Sequence, residues 1–332
     1  MLRIGPLTVD PPLLQAPLAG FTTFAQRAIV RRLGGAGLVF TEMVSARALS
    51  EMASRAERQA SRLWRVELEP RPLGVQIWDN DPGLLAEVVG RLVADDQPSL
   101  IDLNFGCPAP DVAARAESGA YLLGDPERIG RIVARVVAAA RPVPVTAKIR
   151  LGPDAARITA PEVVRAVEEA GGSAVTVHGR TAKQKYRGQA DWEGIARLKD
   201  HLRAIPLVGN GDLTTAESAV AALRTFPVDG VMLGRAPLGR PWIFRQASAL
   251  LRGEAPPPEP SRGELRDILL EHFRLVVEQH GAERAPVLMR RFAAPYGRGW
   301  PGARQFRAEV SRIVTCADFA RVVEQYFPDE SR

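Results

Sequence analysis

Cysteine is almost missing: the 332-residue chain has two, Cys107 and Cys316. Two thiols so far apart in sequence cannot build a disulfide framework, and without a C-x-x-C pair or a Cys/His cluster no structural metal is expected. The thiols are therefore expected to be reduced, in the cytoplasm. Long apolar runs are missing too. The N-terminal stretch "MLRIGPLTVDPPLLQAPLAG" meets prolines and Asp10 where a signal peptide needs an unbroken apolar core, and no later segment stays apolar long enough for a bilayer. A soluble protein with no membrane partner is the expectation. Lysine is scarce as well: Lys148, Lys183, Lys185 and Lys199 stand against 40 arginines. Arginine at that excess follows genomic base composition as readily as binding, so the few lysines are the more informative cations. The net charge of +6 favours a polyanionic partner without identifying one.

What is present is ordinary globular material, 46% hydrophobic and 25% charged, arranged in a rhythm. Short apolar runs recur at 13–17 (LLQAP), 37–43 (GLVFTEM), 73–78 (LGVQIW), 100–104 (LIDLN), 143–149 (VPVTAKI), 173–179 (SAVTVHG), 205–211 (IPLVGNG) and 229–234 (DGVMLG). Between them lie helix-like stretches such as DPERIGRIVARVVAAAR and TAPEVVRAVEEAGG, with Pro near their starts and, in the second, a Gly pair at the end. Strands apolar throughout and alternating with helices predict a parallel sheet buried on both faces. Eight such units suit a closed (β/α)8 TIM barrel, an α/β fold. An open doubly wound sheet is the alternative, but G-x-G-x-x-G does not follow the first strand. The Pro-rich stretch APPPEPSRGE reads as a linker, and from about 256 the apolar spacing is helical. The expected division is a catalytic barrel over 1–250 and an all-helical domain over 251–332.

Polar and special residues gather where these strands end: Gln76, Asn104, Cys107, Lys148, His178, Asn210 and Arg235. In a barrel that end carries the active site. Lys148, at the fifth strand's end, should face a negative partner, either a nearby carboxylate or a ligand. The Gly-rich turns VGNGD and LGRAPLGRPW follow strands seven and eight, the barrel position that often holds a phosphate. His178, after strand six, is as well explained as a structural group as by ligation. It opens the loop HGRTAKQKYRGQADW, whose Arg180, Lys183, Lys185 and Tyr186 interleave basic and aromatic residues, as suits a phosphate backbone and a stacked base. A solvated loop explains them equally well. A lone Cys in a core strand is usually structural. Cys107 instead follows its strand, in an Asn-Phe-Gly-Cys-Pro turn, with no His or Asp in the segment to activate a nucleophile, so proton donation is the more economical role.

Taken together, the motifs QAPLAGFTTFAQRAIVRRLGGAGLVFTEM, LGVQIWDNDP, DLNFGCPAPDVAARAESGAYLL, TAKIRLG, HGRTAKQKYRGQADW, GNGDL and LGRAPLGRPWIF resemble the tRNA-dihydrouridine synthase family along nearly the whole chain. That resemblance implies FMN as prosthetic group and NADPH as reductant. It implies that Ala16 and Pro17 lie under the flavin, that Gln76 and Lys148 bond its polar edge, that His178 lies beside it, and that Gly209, Asn210, Gly211, Gly234 and Arg235 hold its phosphate. The implied reaction reduces the C5=C6 bond of a uridine, with hydride from flavin N5 to C6 and a proton from Cys107 to C5, while Asn104 helps fix the ring. Arg290 and Arg291, with Arg298, Arg304 and Arg307, would give the helical domain an RNA surface. One departure is "APDV" after Cys-Pro, where many relatives carry a Lys or Arg before the Val and this chain has Asp111.

The implied partners are RNA, with tRNA first, and NADPH, acting on a monomer in the cytoplasm. Two alternatives keep the chemistry: a ribosomal RNA target, or a small-molecule pyrimidine reductase of the dihydroorotate dehydrogenase kind. A non-catalytic RNA-binding barrel is disfavoured because Cys107, Lys148 and His178 are all present.

Overall fold

The computed structural model describes residues 1–52, 63 and 65–328. Among them the strands are β1 (Leu2–Ile4), β2 (Leu7–Val9), β3 (Leu13–Gln15), β4 (Val39–Phe40), β5 (Val44–Ser45), β6 (Leu73–Trp78), β7 (Leu100–Asn104), β8 (Val145–Arg150), β9 (Ala174–His178), β10 (Leu207–Asn210) and β11 (Gly230–Leu233). The helices are α1 (Phe24–Leu33), α2 (Ala46–Ser50), α3 (Pro82–Asp96), α4 (Pro126–Ala140), α5 (Ala160–Glu169), α6 (Trp192–Arg197), α7 (Ala216–Thr225), α8 (Ile243–Leu251), α9 (Arg262–Ala293), α10 (Ala303–Val310) and α11 (Cys316–Tyr326). Their contacts divide the chain into two compact units, Met1–Gly20 with Ala36–Gly234, and Phe21–Gly35 with Arg235–Arg332.

The first unit is the expected parallel barrel. Eight strands follow one another in the order β3-β11-β10-β9-β8-β7-β6-β4. A parallel bridge from Leu14 to Leu38 brings the two ends together, with the Gln15 N–H donating to the Leu38 carbonyl at 2.9 Å. All eight coincide with the apolar runs of the sequence, because a strand covered on both faces carries no alternation; β7, "LIDLN", is buried at every position. Several of the helices between them start on side-chain caps. Asp81 accepts from the Gly83 and Leu84 N–H groups, and Asp125 from the Arg128 N–H, each followed by a Pro in the first turn. Two elements lie outside the eight-unit reading: β5, which pairs with β6, and the antiparallel β1–β2 hairpin. Leu2, Ile4 and Val9 of that hairpin join Leu14, Leu38, Phe40, Leu100, Ala174, Val208 and Met232 in one buried cluster.

The second unit is helical. Ala25 and Ile29 of α1 and Trp242 share a core with Leu265, Leu269, Phe292, Tyr296, Phe306 and Phe319. α9 starts on a capping box in which the Ser261 hydroxyl accepts from the Glu264 N–H and the Glu264 carboxylate accepts from the Ser261 N–H. It is interrupted at Gly281, whose φ of 77° lies outside the helical region. The Pro-rich stretch is fastened within this unit: Glu259 accepts from the Trp242 indole N–H at 2.9 Å and pairs with Arg240, and the Pro257 carbonyl accepts from the Gln246 amide at 3.0 Å.

Candidate active site at the barrel mouth

Register brings the polar residues of the strand ends to one level. Gln76 lies beside Asp102, Asp102 beside Thr146, Asn104 beside Lys148, and Asn210 and Arg150 both beside His178. Because neighbouring side chains along a strand alternate faces, Asp102 and Asn104 point the same way, as do Thr146, Lys148 and Arg150.

The most buried of them form a directional chain. Asp102 is 1% exposed; burial raises its carboxyl to about 6, against hydrogen bonds from Thr146 and Gln76 that lower it. An ionised carboxylate accepts only. Thr146 Oγ1 donates to it at 2.6 Å and Gln76 Nε2 at 2.6 Å. With its NH2 committed, Gln76 turns its Oε1 to Asn104, whose Nδ2 donates at 2.9 Å and also touches Met43 Sδ at 3.3 Å. Asn104 must then present Oδ1 to the turn beyond it, where it accepts from the Gly106 N–H at 3.0 Å and the Cys107 N–H at 2.9 Å. The buried carboxylate thus fixes two amide orientations and, through them, the backbone that carries the thiol.

Cys107 is half-buried and unbridged. Burial pushes its thiol above the ordinary value, while the Ala109 N–H, Arg150 and Lys148 pull it the other way. Arg150 is 3% exposed and ties two loops together: its Nε donates to the Gly106 carbonyl at 2.8 Å and its NH1 to the Thr181 and Lys185 carbonyls at 3.0 and 2.8 Å. Lys148 donates to Asn210 Oδ1 at 3.2 Å, and burial lowers its ammonium to about 8. Among the described residues no carboxylate comes within ion-pair distance of it; its hydrogen-bond partner is neutral, and Asp102 favours its charge only from further away.

His178 and Arg180 turn inward. His178 is 8% exposed with Nε2 at 3.3 Å from Arg180 NH1. Arg180 is 2% exposed; it pairs with Asp212 at 2.6 Å and donates to the Arg187 and Gly188 carbonyls, closing the loop on itself. Lys183, Lys185 and Tyr186 lie on the outside of that loop, the Tyr186 ring 6.4 Å from the His178 ring and 5.7 Å from the Arg150 guanidinium. Asn210 donates to the Met232 carbonyl. Ala16 and Pro17 are buried just past β3.

The glycines of the strand ends differ in what requires them. A Cβ on Gly209 would stand 2.4 Å from the Trp192 ring, and one on Gly211, whose φ is 137°, 2.5 Å from Ala190. A Cβ on Gly234 would meet nothing nearer than Ala16 at 4.0 Å. Packing therefore demands glycine at 209 and 211, whereas at 234 it leaves open space beside a backbone N–H. Arg235, the next residue, is exposed.

In the helical unit Arg290 is half-buried and donates to the Ile313 carbonyl at 2.7 Å. Arg291, Arg298, Arg304 and Arg307 are exposed, Arg291 over the Phe292 ring at 5.6 Å. Asp111, the departure noted in the sequence, pairs with Arg115 at 3.1 Å on the surface.

Sequence reasoning passed over Asp102, Thr146 and Arg150. A charged residue inside the otherwise apolar "LIDLN" and a second cation two places after Lys148 were the signals.

The model of the dihydrouridine synthase family (Dus) matches residues 14–331. A probable tRNA-dihydrouridine synthase of Mycobacterium tuberculosis is 36% identical over 99% of this chain and 87% of its own. The tRNA-dihydrouridine synthase B of Pseudomonas aeruginosa is 38% identical over 99% and 96%, and that of Xanthomonas campestris 37% over 98% and 96%. Among solved structures, TcOYE with pHBA superposes with a TM-score of 0.56 at 11% identity, over 78% of this chain and 94% of the other, a likeness of barrel fold alone. With a family model spanning nearly every residue and relatives of this identity at almost full length, the chain belongs to the dihydrouridine synthase family.

Proposed function

We propose that this protein reduces the C5=C6 bond of a uridine in tRNA to dihydrouridine, with FMN as prosthetic group and NADPH as reductant, working as a monomer in the cytoplasm. The observation that carries the reading is the Cys107 turn: a thiol at the barrel mouth whose pKa burial raises, on a backbone held by Asn104 and, through Gln76, by Asp102.

The residues of the mouth fit FMN. Among the described residues the one hydrogen-bond partner of the Lys148 cation, Asn210, is neutral, which suits an acceptor edge that gains negative charge, and Gly234 leaves a cradle of the kind that backbone N–H groups offer to phosphate. Lys148 and the one Gln76 Nε2 hydrogen not given to Asp102 would hold that edge, Ala16 and Pro17 would lie under the ring, His178 beside it, and Gly209, Asn210, Gly211 and Gly234 would take the phosphate. When bound, the flavin supplies the hydride that goes to C6. The chain supplies the proton: the Cys107 Sγ–H bond breaks as the C5–H bond forms, and the thiolate left behind lies in the field of Arg150 and Lys148. A thiol whose pKa stays above the ordinary value is protonated at neutral pH, as an acid must be. Asn104 acts by holding that thiol in place, since both ends of its amide are engaged in the protein. Tyr186, Lys183 and Lys185 face outward where an extruded base and its backbone would pass, and Arg180 stiffens their loop. The exposed arginines of the helical unit offer phosphate contacts.

The test is to incubate the purified protein with NADPH and unmodified total RNA and to map dihydrouridine at nucleotide resolution. Signal at a defined tRNA position is the expected result. Signal confined to ribosomal RNA would change the partner, and NADPH oxidation with no modified RNA would point to a small pyrimidine.

A further inference from the structure

A second cavity, of about 310 Å³, opens in the barrel unit and belongs to none of the groups described so far. Its walls are Ser45, Arg47, Trp78, Asn80, Arg115 and Glu117, with the buried Asp79 behind them. Each wall is a short step along the chain from the mouth. Ser45 lies two residues after Met43, which touches Asn104; Trp78 lies two after Gln76; Arg115 lies in the turn that follows Cys107. The cavity is therefore built from the loops after β5, β6 and β7, at the end of the barrel that carries the thiol.

Its chemistry is that of a nucleotide site. Trp78 is half-buried and, among the described residues, its ring stacks on no other ring and its indole N–H meets no acceptor. An indole face of this kind is where an unstacked base settles. Around it the framework is fixed. Asp79 Oδ1 accepts from the Asn80 and Asp81 N–H groups at 2.8 and 3.1 Å, Asn80 Nδ2 donates to the Ala116 carbonyl at 3.0 Å, and Arg128 donates to the Asn80 carbonyl at 3.1 Å. Two cations stand at the rim. Arg47 is 61% exposed and reaches Asp79 only at 3.4 Å, and Arg115 is 83% exposed in a surface pair with Asp111. The Arg115–Asp111 pair is exposed at both ends and worth little, so a phosphate can displace Asp111, while Arg47, held to the buried Asp79 by one long contact, can turn its other N–H groups to a phosphate. A volume at the lower end of the ligand-pocket range matches one nucleotide better than a whole dinucleotide.

We infer that this cavity binds one unstacked nucleotide of the RNA strand next to the target uridine, its base against the Trp78 indole and its phosphate between Arg47 and Arg115. The inference rests on the reading of the mouth as an RNA-modifying site. It makes Trp78 a determinant of which RNA segment is presented to Cys107, since single-stranded RNA is recognised through splayed bases stacked on aromatic side chains.

The holoenzyme, its Trp78→Ala and Trp78→Phe variants and an Arg115→Ser variant are compared with an unmodified tRNA transcript as probe. The Kd comes from fluorescence anisotropy, and kcat and KM from dihydrouridine formation. Trp78→Ala is expected to raise both Kd and KM about tenfold, the loss of one base stack, with kcat at saturating RNA changed less than about twofold. Trp78→Phe, which keeps a ring, should restore most of the affinity. Arg115→Ser, at an exposed position where folding is not at stake, should raise Kd roughly threefold and flatten the dependence of log Kd on log salt by about one unit. If the wild-type protein reduces uridine while Trp78→Ala and Arg115→Ser bind RNA as it does, the inference is overturned and the function stands. A raised KM for NADPH with unchanged RNA affinity would overturn it too, giving the cavity to the reductant. Trp78-dependent binding of RNA that the wild-type protein never reduces would uphold the cavity and sink the proposed reaction.

Discussion

At the scale of single residues, the proposed reaction needs a thiol that stays protonated and a carboxylate that does not. Cys107 is held above its ordinary pKa by burial, so it can give a proton at any physiological pH. Cys107→Ala is expected to cut uridine reduction at least about a hundredfold, the usual contribution of a positioned acid, while the protein stays yellow and goes on oxidising NADPH. Unchanged reduction in a single-turnover assay would remove the thiol from the mechanism. Asp102 acts at a distance of three hydrogen bonds. In Asp102→Asn the new amide can donate as well as accept, so Gln76 and Asn104 are no longer forced into one orientation and the Cys107 turn loosens. Uridine reduction should fall roughly tenfold in kcat with flavin content retained. The wild-type rate should also decline as pH drops through about 6, where the folded protein's Asp102 takes up a proton, and a variant with the same acid limb would refute this role. Lys148→Ala should release FMN on dialysis or slow its reduction, read from the absorbance of the bound flavin. The sequence made Cys107, Lys148 and Asn104 visible because they stand at strand ends, where special residues break an apolar pattern. It hid Asp102 and Arg150 because their importance lies in partners from other strands, and pairing across a sheet is not written in spacing.

At the scale of elements, the glycines at the strand ends separate packing from binding. Gly209 faces the Trp192 ring, which cannot retreat: it stacks on Phe226 with centroids 5.4 Å apart and donates its N–H to the Gly211 carbonyl at 3.0 Å. Gly209→Ala should therefore lower stability by about 1–3 kcal/mol, the usual penalty of overpacking. Gly234→Ala has room for its methyl and should melt within a degree or so of wild type, but it fills the cradle and should weaken FMN retention. Thermal melts beside flavin content distinguish the two; equal melting losses would show that both glycines serve packing. The eight strands were legible because each is buried on both faces and reads as an apolar run. The β1–β2 hairpin was not, since three-residue strands separated by two residues give no period to detect, and "LRIGPLTV" looks like a broken leader. β5 has two residues and is defined by its pairing with β6 alone. The Pro-rich stretch reads as a free linker by composition; Glu259, a single residue within it, fastens it to Trp242 and Arg240.

At the scale of the whole molecule, the two units carry buried titratable groups that respond to acid in opposite directions. His272, in the helical unit, is fully buried between Phe292 and Tyr296, with Nδ1 3.3 Å from the Tyr296 hydroxyl and Nε2 without a partner among the described residues. Burial lowers its pKa from 6.5 to about 3. Below 6.5 the unfolded chain binds a proton that the folded unit refuses, so the stability this residue allows at neutral pH is lost as pH falls from 6.5 toward 3. Between pH 7 and pH 5 the loss is roughly 2 kcal/mol. Asp102, in the barrel unit, has a folded pKa raised to about 6, so there the folded state binds the proton more tightly and the barrel gains stability as pH falls through 6. Acidification to pH 5 should thus weaken the helical unit and strengthen the barrel. Amide hydrogen exchange at pH 7 and 5, corrected for the intrinsic pH dependence of exchange, can read α9 and β7 separately. Protection of α9 should fall relative to β7 in the wild-type protein. His272→Gln, which keeps a neutral polar group and removes the titration, should lose most of that fall, and Asp102→Asn should lose the gain in β7. If α9 weakens as much in His272→Gln as in wild type, the acid sensitivity lies in the exposed charges of the helical unit rather than in its buried imidazole.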